Sequence, residues 1–294
     1  MRVLKWIGII ILILLIIFVG IAAVVYAKTG SRIGKKYNVH VQAIKVPTGA
    51  AAIARGRHLV IAVGKCTDCH GEDLAGDVFI DDPVVGRYVA TNLTGSDKKE
   101  NFSTANLVMS MRQGVDPESK QSLIFMPSYV FRFFSDKDLG AIIAYLKTLK
   151  PVKKNLPTTS VGPLARVLYL QGKFPLLAAE MIQKNPAPKP KEPAPGVSVA
   201  YGKYLVDTGG CRGCHGENLK GGPIPEAPPG TPPASNLTFK GDIKKWTEAD
   251  YVKALRQGVE PNREKINSFM PWKGAGKMTD EEIRATWLYL RTVK

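Results

Sequence analysis

The sequence is poor in residues that bind metals or form cross-links: its 294 residues include four cysteines and four histidines. All four cysteines fall in two Cys-x-x-Cys pairs, Cys66/Cys69 and Cys211/Cys214, which leaves none for a wider disulfide framework. The pairs are 145 positions apart, whereas a four-cysteine zinc site usually holds its pairs within roughly 15–20 residues. Acidic residues are missing from the first 49 positions, which hold seven Lys and Arg. The net charge of +16 sits mainly there and in a connector at 151–195 with seven basic and two acidic residues. A nucleic-acid binder would gather such charge on a folded recognition element. Nucleic acid is therefore not an expected partner, and an anionic lipid surface or an acidic protein is.

What is present begins with an uncharged run, Trp6 to Ala27, of 22 residues. As a helix it extends about 33 Å, enough to cross a bilayer core of roughly 30 Å. Its length favours an uncleaved anchor over a secretory signal, although Val25-Tyr26-Ala27 offers a cleavage-like site. Lys and Arg flank both ends, so charge does not set the orientation.

The rest of the chain repeats itself. Gly56-Arg-His-Leu-Val60 parallels Gly202-Lys-Tyr-Leu-Val206, and Asn92-Leu-Thr94 parallels Asn236-Leu-Thr238. Arg112-Gln-Gly-Val115 parallels Arg256-Gln-Gly-Val259, and Phe125-Met-Pro127 parallels Phe269-Met-Pro271. Each copy reads as mostly helical, with little strand alternation. Ser103, Ser135, Thr247 and Thr279 are expected N-caps, the second and fourth with Asp138 and Glu282 three positions on. The boundaries expected are an anchor at 1–30, a basic tether at 31–49, copies at 50–150 and 196–294, and between them a connector at 151–195 ending in a Pro-rich linker. Val161–Lys184 belongs to neither copy. It is expected to strap the first copy, with a membrane-surface or partner contact as the alternative.

Both cysteine pairs are followed at once by histidine, His70 and His215. Cys-x-x-Cys-His is the attachment signature of c-type haem, in which two thiols reach two vinyl groups and the histidine supplies an axial nitrogen. A redox dithiol would not need that histidine. Structural disulfides would leave the matched histidines unexplained. The expected cofactors are thus two covalently bound haem c groups, one on Cys66, Cys69 and His70, the other on Cys211, Cys214 and His215. Of seven methionines only Met126 and Met270 recur in the repeat, 56 and 55 residues after the histidines, and each precedes proline. They are the expected second axial ligands of the two irons, which raises the potential and closes both coordination sites. His40 and His58 are not repeated. Met109, Met111 and Met278 are expected core residues.

These motifs resemble class I cytochrome c domains, fused in tandem over about 50–150 and 196–294. The resemblance implies an all-α fold of two tandem class I cytochrome c domains with an N-terminal transmembrane helix. It also implies a crossing of first and last helices at Gly56/Tyr145 and Gly202/Tyr289. More narrowly, the Asn-Leu-Thr loop and Trp246-Thr-Glu-Ala-Asp with Arg256-Gln-Gly are similar to cytochrome subunits of bacterial membrane-bound dehydrogenases, many of which carry three haem domains where this chain has two. Asn92 also heads a glycosylation sequon, but its recurrence at Asn236 points to a haem-edge loop. Trp246 and Arg256, matched by Phe102 and Arg112, are expected either near haem propionates or as packing residues. The function expected is electron transfer, not catalysis, through two His/Met-ligated haems. The donor would be a quinol-oxidising complex or membrane dehydrogenase and the acceptor an oxidase or reductase, with the haem domains on the periplasmic side of a bacterial inner membrane. The rivals are a dihaem enzyme with an open iron site and an assembly subunit whose haems do not turn over.

Overall fold

The computed structural model describes residues 2–95, 102–185, 192–224, 227 and 230–294. Part of the Pro-rich linker, 186–191, lies outside the described residues. Helix α1, Arg2–Ile33, contains the whole apolar run without a break and buries only Thr29 against the rest of the chain. The stretch expected as a tether does not hang free. Tyr37 is buried and its N–H donates to Lys120 O at 2.8 Å. Val41, Ile44 and Val46 pack on the core.

The first copy opens with α2, Ala50–His58, which continues into a π-helical turn at Leu59–Val63. That turn has a reason in the sequence. One residue more separates Val60 from Cys66 than Val206 from Cys211, and a π-turn is how a helix takes up a one-residue insertion. The short α3, Thr67–His70, follows. Then comes a hairpin not anticipated by the all-α expectation: β1, Asp77–Asp82, pairs antiparallel with β2, Gly86–Ala90, with a bulge between Val78 and Ile80. Helices α4, Thr104–Val108, α5, Ser128–Phe131, and α6, Asp136–Leu146, complete the copy.

The connector supplies β3, Ser160–Val161, which pairs with β2, and then α7, Pro163–Leu170, and α8, Ala178–Lys184. As expected of a strap, this segment packs on the first copy. Ala165, Tyr169, Phe174, Leu176 and Leu177 form an apolar cluster with Tyr88 of the hairpin, joined by Ile33 of α1 and Phe125.

The second copy has α9, Val199–Thr208, α10, Cys211–His215, α11, Glu248–Gln257, α12, Trp272–Ala275, and α13, Asp280–Leu290. All four expected N-caps accept a hydrogen bond from the amide three residues on. In both copies the first helix crosses the last at the expected glycine. A Cβ on Gly56 would lie 1.9 Å from Ala141 O and 2.9 Å from Tyr145 Cβ, and one on Gly202 would lie 1.8 Å from Ala285 O and 2.9 Å from Tyr289 Cβ. Only glycine allows that approach.

The copies also pack on each other through those crossings. One apolar cluster runs through both, from Leu59 and Phe134 to Tyr201, Leu205 and Ile283. Its polar edge is an ion-pair network. The Arg55 guanidinium donates to both carboxylate oxygens of Asp138 at 3.0 Å and to Glu282 Oε1 at 3.0 Å. Glu282 also bonds His58 Nε2 at 2.6 Å and accepts from Tyr201 Oη at 3.1 Å. Tyr204 Oη donates to Asp138 Oδ2 at 2.8 Å and accepts from the Ser135 amide at 3.0 Å. In the second copy Glu282 itself closes the capping box by accepting from Thr279 N, while in the first copy the matching Ser135 amide is satisfied by Tyr204 from across the interface.

Candidate cofactor sites

Each Cys-x-x-Cys-His motif occupies one helical turn directly after the first helix of its copy. In the first, Cys66 N donates to Val60 O at 2.8 Å and His70 N to Cys66 O at 2.9 Å. Residues three apart on a helix share a face, so both thiols of a pair point one way. All four cysteines are free of disulfides and half-buried. Burial pushes the thiols up, Cys66 to about 12 with help from its neighbour Cys69, and Cys69 to about 11; Cys211 moves in the same direction. Reactive dithiols show the opposite, a lowered value that favours thiolate. Among the described residues no group of three or more His, Cys, Asp and Glu could hold a metal ion, so the two pairs do not form a zinc site.

The histidines are oriented by the main chain. His70 Nδ1 lies 2.7 Å from Thr91 O and His215 Nδ1 lies 2.7 Å from Ser235 O. A carbonyl only accepts, so Nδ1 carries the proton and Nε2 keeps its lone pair for a metal. Burial lowers both imidazoles against the opposing effect of these bonds, which favours the neutral, ligating form. Both carbonyls immediately precede the repeated Asn-Leu-Thr. There Asn92 Oδ1 accepts from Thr94 N at 2.8 Å and Asn236 Oδ1 from Thr238 N at 3.0 Å. The loop thus aims the histidine, and the Asn92 amide is already spent on Val152 O at 2.7 Å.

Met126 and Met270 are half-buried and pack on the same apolar cluster as Cys66 and Cys211. The prolines after them adopt nearly one conformation, φ −79, ψ 50 at Pro127 and φ −78, ψ 52 at Pro271. In both turns the amide two residues on returns to the methionine carbonyl at 2.8 Å. Arg112 and Arg256 tie the end of the short helix after each turn to the start of the last helix. Arg112 donates to Arg132 O and to Asp136 Oδ1 at 2.9 Å, and Arg256 donates to Gly276 O and to Asp280 Oδ1 at 2.6 Å. These contacts give both arginines a place in the packing of their copies. Met111 and Met278 are core residues, as expected.

The Cytochrome c family profile matches residues 53–150 and 199–294, two thirds of the chain. The chain belongs to the cytochrome c family. A nicotinate dehydrogenase subunit of Pseudomonas putida is 31% identical to this cytochrome over 185 residues, 58% of the chain and 15% of the relative. The fructose dehydrogenase cytochrome subunit of Gluconobacter japonicus is 29% identical over 119 residues, 37% of the chain and 24% of the relative. The cytochrome c subunit of the quinone alcohol dehydrogenase of Gluconacetobacter polyoxogenes is 27% identical over 130 residues, 42% of the chain and 26% of the relative. The chain spans about a quarter or less of the length of these curated relatives.

Membership implies covalently bound haem and electron transport, and the residues fit that group. Paired neutral thiols on one face, an imidazole with a free Nε2 and a half-buried thioether are present twice on an apolar core. Ser128 Oγ, buried two residues after Met126, has no hydrogen-bond partner among the described residues, which leaves a polar atom for a bound group. The two sites approach each other at the interface between copies. Lys65, next to Cys66, donates to Val63 O at 2.9 Å and across the interface to Gly209 O at 2.6 Å, and its charge acts on Cys211 and Cys214.

Proposed function

We propose that this cytochrome is a dihaem electron carrier anchored in a bacterial inner membrane, with its haem domains on the periplasmic side. The domains are 50–150 and 196–294, joined by a connector at 151–195, with an anchor at 1–30 and a basic segment at 31–49. One haem c is bound through Cys66 and Cys69 and ligated by His70 and Met126. The other is bound through Cys211 and Cys214 and ligated by His215 and Met270. The haem supplies a one-electron couple; the chain holds it, orients the imidazole and keeps water away. With methionine and histidine on both faces, neither iron has a place for substrate, which favours a carrier over an enzyme.

The observation that carries this reading is the duplication of the whole ligand set: the imidazole held by a carbonyl, and the Met-Pro turn with its amide returned to the methionine carbonyl, occur twice with nearly the same geometry. The dehydrogenase names of the relatives support a membrane dehydrogenase as donor, with a quinol-oxidising complex as the other source, and an oxidase or reductase as acceptor. The uncharged run of 22 residues is longer than the apolar core of a secretory signal, which supports an anchor over a cleaved signal.

Protein made in cells competent for haem ligation is expected to carry the mass of two haems per chain and a low-spin spectrum. Met126→Ala and Met270→Ala should each turn one of the two haems high-spin. A wild-type mass without porphyrin, or no change of spin state in either variant, refutes the assignment.

A further inference from the structure

Outside α1, seven large apolar side chains are exposed among the described residues, and three of them, Val84, Leu164 and Val167, gather at its root. They are joined by the main chain. Leu164 N donates to Val84 O at 3.1 Å, which brings the hairpin turn against the start of α7. Leu164 and Val167 are three apart and lie on one face of α7, 41% and 38% exposed, while Ala165 and Tyr169 turn inward to the apolar cluster of the strap. Helix α7 therefore has two apolar faces, and the described residues cover only one.

The height of α7 along α1 is fixed by side chains. The Arg166 guanidinium lies over the Tyr26 ring, 4.5 Å from its centre, and donates to Thr29 Oγ1 at 2.7 Å. Further along, Arg32 and Tyr169 both bond Glu180, and Arg32 also lies over the Tyr169 ring. Trp6 and Tyr26, both exposed, bracket the apolar run at a separation of about 30 Å along the helix, the spacing of the aromatic belts of a bilayer. Tyr26 then marks one water–lipid boundary, and Arg166, held on Tyr26, sets α7 at that same boundary.

We infer that α7 and the Val84 turn form a second membrane contact, with Leu164, Val167 and Val84 seated in the headgroup–acyl boundary of the bilayer that α1 crosses. This rests on the anchor reading of α1. The occupant is phospholipid, because the patch is continuous with the span and lies at its boundary. The span and the patch together hold the first haem-bearing copy at one height and tilt.

The test uses the haem-loaded full chain in phosphatidylcholine vesicles. Leu164→Cys, Val167→Cys and Val84→Cys are each labelled with a nitroxide, with Val199→Cys, 44% exposed in the second copy, as the aqueous reference. Vesicle flotation is run on the same samples. Flotation together with a ratio of oxygen to water-soluble nickel collisions several-fold above that of the Val199 label, at two or more of the three positions, supports the contact. Flotation with ratios like that of Val199 overturns it while leaving the anchor in place. Protein that stays at the bottom of the gradient overturns the anchor, and the contact with it. Three separate label positions keep the result interpretable if one variant fails to fold.

Discussion

Replacing Glu282 by Gln tests whether the interface between the two copies is held by charge. The carboxylate is 4% exposed and meets Arg55, His58, Tyr201 and the Thr279 amide. Burial alone would push its pKa up, but the hydrogen bond and charge of His58, the Thr279 amide and Arg55 together outweigh burial and hold it at about 2. A group depressed in the folded state stabilises above its unfolded value and loses that contribution as pH falls through the folded one. A drop from 4.5 to about 2 corresponds to about 3 kcal/mol. Gln keeps the shape and can still accept from Thr279, so the substitution removes chiefly the charge. Urea unfolding of the haem-loaded proteins, followed by circular dichroism of the haem band, should show the variant about 3 kcal/mol less stable at pH 7. The gap should persist to about pH 5, shrink below about 4.5 and close near 2. A gap that is absent at pH 7, or that stays constant down to pH 2.5, refutes the reasoning.

Gly202→Ala forces a Cβ to within 1.8 Å of Ala285 O, against backbone that cannot yield cheaply, so the second copy should lose about 3 kcal/mol or more, or fail to load haem, while the first keeps its spectrum. Gly56→Ala should do the reverse, as read by haem content per chain. Burial lowers the Lys65 pKa, so its charge is fullest at low pH; there Lys65→Met removes a cation lying between the two cysteine pairs, and the midpoint potentials in a redox titration at about pH 5 should fall by tens of millivolts, because a nearby positive charge favours the reduced iron. Unchanged potentials would place Lys65 as a packing residue only. Arg256→Ala unties the end of α12, the helix that follows Met270, from the start of α13, and the second haem should lose its methionine at a lower temperature than the first, seen as an earlier high-spin transition.

Much of the site was legible because it is duplicated. The cysteines, histidines and Met-Pro pairs stood out by recurring, and the Ser/Thr-x-x-Asp/Glu starts of α6 and α13 gave their own caps. The carbonyls that aim the histidines could not be read, since a main-chain oxygen has no side-chain signature; the repeated Asn-Leu-Thr beside them was the available sign. The hairpin escaped because its strands are short and acidic at one end, Asp77–Asp82 carrying three aspartates, and because β2 takes its third strand from the distant Ser160–Val161. The tether reading of 31–49 was misled by charge: the lysines are exposed, but Tyr37, Val41 and Ile44 between them are apolar anchors on the first copy.

Comparing like with like also hid the interface, whose chemistry lies where the copies differ. At matched positions the first copy has Arg55, His58 and Lys65, and the second has Tyr201, Tyr204 and Gly210. Both keep a carboxylate, Asp138 and Glu282, at the third position of the last helix. Two first copies facing each other would oppose Arg55 to Arg55 and set a second Lys65 against Val130, which Gly210 now faces. Two second copies would bury two Glu282 carboxylates with no cation to meet them. In the mixed pair Asp138 has Arg55 of its own copy and Tyr204 of the other, and Glu282 has Arg55 and His58 from across the interface besides Tyr201 of its own copy. Unpaired buried charge costs several kcal/mol, so Glu282 selects against self-association of the second copy as much as it favours the contact formed. The duplication supplied two like electron-transfer modules, and divergence at three positions in and just after the first helix fixed how they sit together.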